Sequence, residues 1–104
     1  MAARVSGDTF VSEVLQAEGI VIADFYSDSC VPCKRLSPVL AEVEDELGDK
    51  AKLVKVNINF DAALAEQYEV QTVPTVIFFK DGSEISRLSG TIKKADIISA
   101  ISNS

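Results

Sequence analysis

The chain has 104 residues, 47% hydrophobic and 25% charged, the size and composition of one domain with a core of its own, which excludes a collagen-like repeat, a disulfide-dense miniprotein and an intrinsically disordered chain. Its 16 Asp and Glu against 10 Lys and Arg leave a net charge of −6, so the basic footprint that binding to nucleic acid requires is missing. The longest apolar runs, residues 20–23 and 76–79, are strand-sized and far short of the roughly 20 residues that a membrane helix needs.

In chain order, residues 8–18 read as a short helix, with Asp8 placed to cap it and Phe10, Val11, Val14 and Leu15 along one face. Residues 20–26 are nearly all apolar, the mark of a strand covered on both faces. A long helical pattern follows, with Leu36, Val39, Leu40, Val43 and Leu47 recurring at helical spacing and Gly48 as the stop signal. Pro38 falls inside that helix and is expected to kink it, since it removes one backbone donor and crowds the preceding turn. Residues 1–50 carry 10 acids and 4 bases, residues 51–104 carry 6 of each; the run Glu42, Glu44, Asp45, Glu46 and Asp49 reads as a solvated helix face.

Residues 52–58 form a second expected strand, with Val54, Val56 and Ile58 on one face. Residues 61–68 are Ala-rich and helical, with Asp61 as the cap. Residues 75–79 and 84–88 flank Lys80-Asp81-Gly82-Ser83, and Asp-Gly between two apolar segments predicts a hairpin. Residues 93–102 read as a last helix that buries Ile97, Ile98 and Ile101. Strands that alternate with helices require parallel crossovers, whereas the final hairpin is antiparallel. The expected fold is therefore α/β: a mixed central sheet flanked by helices on both faces, ending in an antiparallel hairpin and a helix, in a single domain over residues 1–104.

The chemistry lies in Ser29-Cys30-Val31-Pro32-Cys33-Lys34, where the buried strand gives way to the long helix. A helix N-terminus offers free N–H groups and about half a positive charge, which favours a thiolate on the first cysteine. Lys34 and Arg35 add positive charge, Asp28 opposes it, and Pro32 suits a first turn where its missing donor is not needed. Cys30 is thus expected to be the accessible nucleophile and Cys33, one turn inside, the resolving thiol. Zinc wants four ligands, and this chain has no second cysteine pair and no His; two inert buried cysteines are the other alternative. No metal and no cofactor are expected. The start, Met1-Ala2-Ala3-Arg4, shows no cationic region followed by an apolar stretch, so no secretory signal is read and a cytoplasmic location is expected. In that compartment two cysteines are redox-active or metal-binding rather than a structural staple.

These residues resemble the thioredoxin family. The resemblance runs from about Asp8 to Ile101 and rests on Ala23-Asp24-Phe25-Tyr26, Cys30-Val31-Pro32-Cys33-Lys34, Pro38, Val73-Pro74-Thr75, Phe79-Lys80-Asp81-Gly82 and Gly90. It implies a thioredoxin-like fold and a thiol–disulfide oxidoreductase that reduces protein disulfides: Cys30 attacks, and Cys33 resolves the mixed disulfide to leave Cys30–Cys33 oxidised. It implies a buried base for Cys33 at Asp24, whose apolar surroundings raise its pKa, with Lys55 as its partner. From the residues alone, Asp24 could instead face solvent at a strand end, and Lys55 could be a surface lysine. Pro74, in the family a cis proline beside the thiols, could be a proline tolerated at a strand's first residue. Val31, Pro32, Thr72, Val73, Pro74, Gly90 and Thr91 would form a shallow surface for extended, disulfide-bearing protein substrates. The implied partners are those substrates and a flavoprotein thioredoxin reductase or equivalent electron donor; neither nucleic acid nor membrane is implied, and the protein is expected to be a monomer. Ser29 and Val31 depart from the usual Trp and Gly, and Tyr26 replaces a frequent Trp.

Overall fold

The computed structural model describes residues 3–4 and 7–102. The elements are β1 (Ala3–Arg4), α1 (Gly7–Phe10), which runs on as a π-helical stretch (Val11–Leu15), β2 (Ile20–Tyr26), α2 (Val31–Leu47), a 3-10 turn (Gly48–Lys50), β3 (Ala51–Asn57), α3 (Ala62–Gln67), β4 (Thr75–Lys80), β5 (Ser83–Ser89) and α4 (Lys94–Ser102). They build one sheet in the order β1-β3-β2-β4-β5. β1, β3 and β2 are parallel, while β4 runs antiparallel to β2 and β5 antiparallel to β4. This is the expected mixed sheet, with one addition: β1 pairs Ala3 and Arg4 with Val54 and Lys55, and two residues carry too little pattern to be read as a strand. α1 begins at Gly7, ahead of the expected cap Asp8, whose side chain lies outside the described residues.

Alternation along the strands assigns the two faces. Val21, Ala23 and Phe25 of β2, Val54 and Val56 of β3, and Ile77 and Phe79 of β4 pack under Phe10, Val14, Leu64 and Ala65 of the α1 and α3 segments. Tyr68 closes that layer with tilted and edge-on ring contacts to Phe10, Phe25 and Phe79. Ile22, Leu53, Val76 and Phe78 point the other way, under Leu36, Leu40 and Val43 of α2 and Ile97 of α4. Both faces of the central strands are covered, which is why β2 reads as an apolar run. Asp24 falls on the α2 face, two residues beyond Ile22, and is 3% exposed.

Two junctions are fixed by backbone geometry. Asp81 and Gly82, at φ 50° and 86°, make the two-residue turn that the Asp-Gly pair predicted. Gly19 N–H donates to Asp81 Oδ1 (2.8 Å) and Asp81 N–H to Gly19 O (3.0 Å), so the turn is clasped to the loop that enters β2. Asp61 occupies the N-cap position of α3 but makes no side-chain capping bond; its carbonyl accepts from Leu64 and Ala65 instead. Of the acidic run at the end of α2, Glu42, Asp45, Glu46 and Asp49 are exposed and Glu44 is half-buried; Glu42 and Glu46 both reach Lys94 of α4 (2.7 and 2.6 Å). Among the described residues no helix is long and apolar enough to cross a membrane.

Candidate functional site

Strand register brings the site together. Phe25 lies opposite Thr75, Thr75 opposite Ser89, and Tyr26 beside Asn57, so residues 27–33, 57–60, 72–74 and 90–91 emerge at one end of the sheet. Gly90 N–H donates to Pro74 O (3.3 Å) and Thr75 Oγ1 to Thr72 O (2.6 Å), which ties the two outer loops together. The Val73–Pro74 peptide is cis. Val31, Pro32, Thr72, Gly90 and Thr91 are exposed, Val73 is half-buried and Pro74 buried.

Cys30 is the N-cap of α2, in extended backbone (φ −89°, ψ 111°), and Cys33 sits one turn in. They form a disulfide with their Cα atoms 5.2 Å apart. Cys30 is half-buried and Cys33 only 6% exposed, so an incoming group meets the first sulfur before the second. The first helical amides have no acceptor within the helix, and Cys33 N–H donates to Cys30 Sγ (3.1 Å). A donor aimed at that sulfur, at the positive end of a 17-residue helix, favours a thiolate there once the disulfide opens. Pro32 lies in the same first turn, where its missing N–H leaves no bond unmade.

Behind Cys33 lies a cavity of about 130 Å³ lined by Asp24, Tyr26, Ser27, Asp28, Cys33, Lys34, Ser37 and Lys55. Burial pushes the Asp24 carboxyl up from 3.8 to about 6, and the nearby Lys55 charge partly offsets that. Asp24 Oδ1 is buried without a hydrogen-bond partner. Lys55 is its neighbour across the β2–β3 ladder, yet the Lys55 ammonium donates to Ser37 Oγ (3.2 Å) and lies 5.5 Å from the centre of the Tyr26 ring. The two residues therefore share the cavity without closing an ion pair.

A polar web braces the loop before Cys30. Ser27 and Ser29 hydroxyls are 3.2 Å apart, Asn59 Nδ2 donates to Ser27 Oγ (3.4 Å), and Asn57 Nδ2 donates to Asp28 Oδ2 (3.1 Å). Sequence reasoning named none of Ser27, Ser37, Asn57 or Asn59 as site residues. Ser37 carried a signal, since four residues beyond Cys33 it shares that helix face; the two asparagines carried none, because their partners lie about 30 residues away. Among the described residues no group of three or more His, Cys, Asp or Glu is placed to hold a metal ion.

Comparison with known proteins agrees with this geometry. The family profile described as Thioredoxin matches residues 1–103. A thioredoxin of Chlamydia caviae is 43% identical over 101 residues, covering 97% of this chain and 96% of the relative. A thioredoxin of Mycolicibacterium smegmatis is 37% identical over 101 residues (95% and 90%), and thioredoxin 1 of Synechococcus elongatus is 34% identical over 101 residues (97% and 94%).

Proposed function

The chain belongs to the thioredoxin family, and from that premise we propose how its residues divide the work. It is a thiol–disulfide oxidoreductase that reduces protein disulfides by dithiol–disulfide exchange through Cys30 and Cys33. In the proposed cycle the Cys30 thiolate attacks one sulfur of a substrate disulfide, forming a mixed disulfide and expelling the other substrate sulfur as a thiolate, which takes a proton. Cys33 then loses its proton and attacks Cys30 Sγ; the second substrate thiolate leaves, two electrons have passed to the substrate, and the Cys30–Cys33 disulfide remains.

The observation that carries these roles is the asymmetry at the helix end: Cys30 is reachable and receives the Cys33 amide, while Cys33 is buried. Asp24 is the base for Cys33. A carboxyl that titrates near 6 is ionised at neutral pH yet close enough in affinity to accept a proton, and the cavity of about 130 Å³ that both it and Cys33 line has room for a relaying water. Lys55 supports the ionised carboxylate from across the ladder. Val31, Pro32, Thr72, Val73, Pro74, Gly90 and Thr91 receive an extended substrate segment, a role supported by their common position at the thiol end of the sheet. The protein works as a single-domain, monomeric electron carrier in the cytoplasm, where a flavoprotein reductase or equivalent donor returns the disulfide to the dithiol.

Two variants test the assignment. Cys30→Ser is expected to abolish reduction of a protein disulfide, and Cys33→Ser to accumulate a mixed disulfide at Cys30, read by peptide mass. Full activity in the first, or no trapped adduct in the second, would reverse the assigned roles.

A further inference from the structure

Asp24 and Lys55 are direct neighbours on adjacent strands, on the same face of the sheet and beside the same cavity. A lysine so placed has the reach to pair with the carboxylate, and a buried, unpartnered Oδ1 invites it. The ammonium instead sits on Ser37 Oγ at 3.2 Å, against the Tyr26 ring. Ser37 stands one turn beyond Cys33 on α2 and lines that cavity. We propose that Ser37 is a positioning residue: it holds the Lys55 ammonium on the helix side of the cavity, off Asp24, and so governs when Asp24 is free to take the Cys33 proton. The inference rests on the reading of Asp24 as the base.

The charges around Asp24 leave the displaced lysine little choice. α2 contributes Cys33, Lys34 and Ser37, β2 and the loop after it contribute Tyr26 and Asp28, and β3 contributes Lys55. β4 lays Thr75, Val76 and Ile77 alongside, none of them titratable. Asp28 is exposed and its carboxylate already accepts from Asn57, so the buried Asp24 oxygen is the strongest acceptor still open to Lys55. An ammonium in contact favours the ionised carboxylate far more than one held aside. Ser37 thus works through Lys55 to keep Asp24 a stronger proton acceptor, and removal of its hydroxyl should weaken that acceptor.

The test is a carboxyl-carbon NMR titration of Asp24 in the oxidised full chain, in the parent, Ser37→Ala, Ser37→Thr and Lys55→Gln proteins and in the double variant. Alanine favours helix more than serine does, so Ser37→Ala retains the fold. We expect it to move the Asp24 midpoint down by about one pH unit, a tenfold loss of proton affinity. Ser37→Thr, which keeps the hydroxyl, should titrate as the parent does, and in the Lys55→Gln background Ser37→Ala should cause no further shift. An unchanged or raised midpoint in Ser37→Ala, or a shift that persists without Lys55, would overturn the proposal. The base role is read separately, from the rate at which Asp24→Asn resolves a mixed disulfide held at Cys30. An unchanged rate rejects Asp24 as the base, while the titration still decides the role of Ser37.

Discussion

Burial of Asp24 works against the fold, because a carboxylate loses far more hydration than a neutral side chain does on entering the α2 face of the sheet. At low pH both the folded and the unfolded chain hold the proton. Between 3.8, the ordinary value, and about 6, the folded chain alone keeps it, so the unfolded state binds fewer protons and stability falls as pH rises through that window. Above about 6 the full loss of roughly 2–3 kcal/mol is in force. Asp24→Asn should therefore be more stable than the parent by about that amount at pH 7.5 and no more stable at pH 4, as read from urea midpoints. The same gain at both pH values would mean that the carboxyl is not the titrating cause. On the proposed role of Asp24 as base for Cys33, this destabilising group is what a site that deprotonates a buried thiol requires. At the opening of the site, Ser29 and Val31 leave a small hydroxyl and an exposed, stiff branched side chain beside the reactive sulfur. The hydroxyl joins the Ser27–Asn59 web.

At the scale of elements, the hairpin turn shows how backbone geometry holds distant parts together. A Cβ on Gly82 would lie 2.3 Å from Leu15 O, with φ at +86°. Gly19 has a similar φ of +80° but open space around it. Gly82→Ala should then cost roughly 2–4 kcal/mol, backbone strain plus a clash with immovable main chain, and Gly19→Ala only about 1–2 kcal/mol from strain alone. Equal losses in denaturant unfolding would show that the turn does not press on the end of the first helical segment. The elements that position the site were legible because each carries a strong local pattern: the apolar run of β2, the spacing of Leu36 to Leu47 in α2, and Asp-Gly between β4 and β5. β1 was not legible, since two residues, paired with Val54 and Lys55 of β3, carry too little pattern to be read as a strand. The π-helical stretch over Val11–Leu15 reads in the sequence as ordinary helix, because Phe10 and Val14 fit the spacing of an α-helix. Within the site, Cys30 and Cys33 announce themselves by spacing and by the junction on which they stand. The link of Ser37 to Lys55 spans 18 residues and two elements, and no pattern in the chain encodes it.

For the molecule as a whole, the decisive property is the direction in which the Cys30–Cys33 pair exchanges electrons. A strongly stabilised thiolate favours the reduced form and makes an oxidant. Here the α2 terminus and the Cys33 amide stabilise the Cys30 thiolate, while the buried Asp24 carboxylate behind the pair and a net charge of −6 oppose it. No His stands between the cysteines to shift the balance. Such pairs span roughly −270 mV, the value of thioredoxins themselves, to about −120 mV for strong oxidants. The chain has no Trp to report its redox state by fluorescence, so the measurement is to equilibrate the protein in defined thiol–disulfide buffers, alkylate it and count blocked cysteines by mass. We expect a single two-electron transition below about −240 mV, at the reducing end of that range. A midpoint near −120 mV would identify a disulfide-forming oxidant, and cysteines that alkylate at every poise would mean that the pair does not cycle at all; either result contradicts a Cys30–Cys33 pair that reduces protein disulfides.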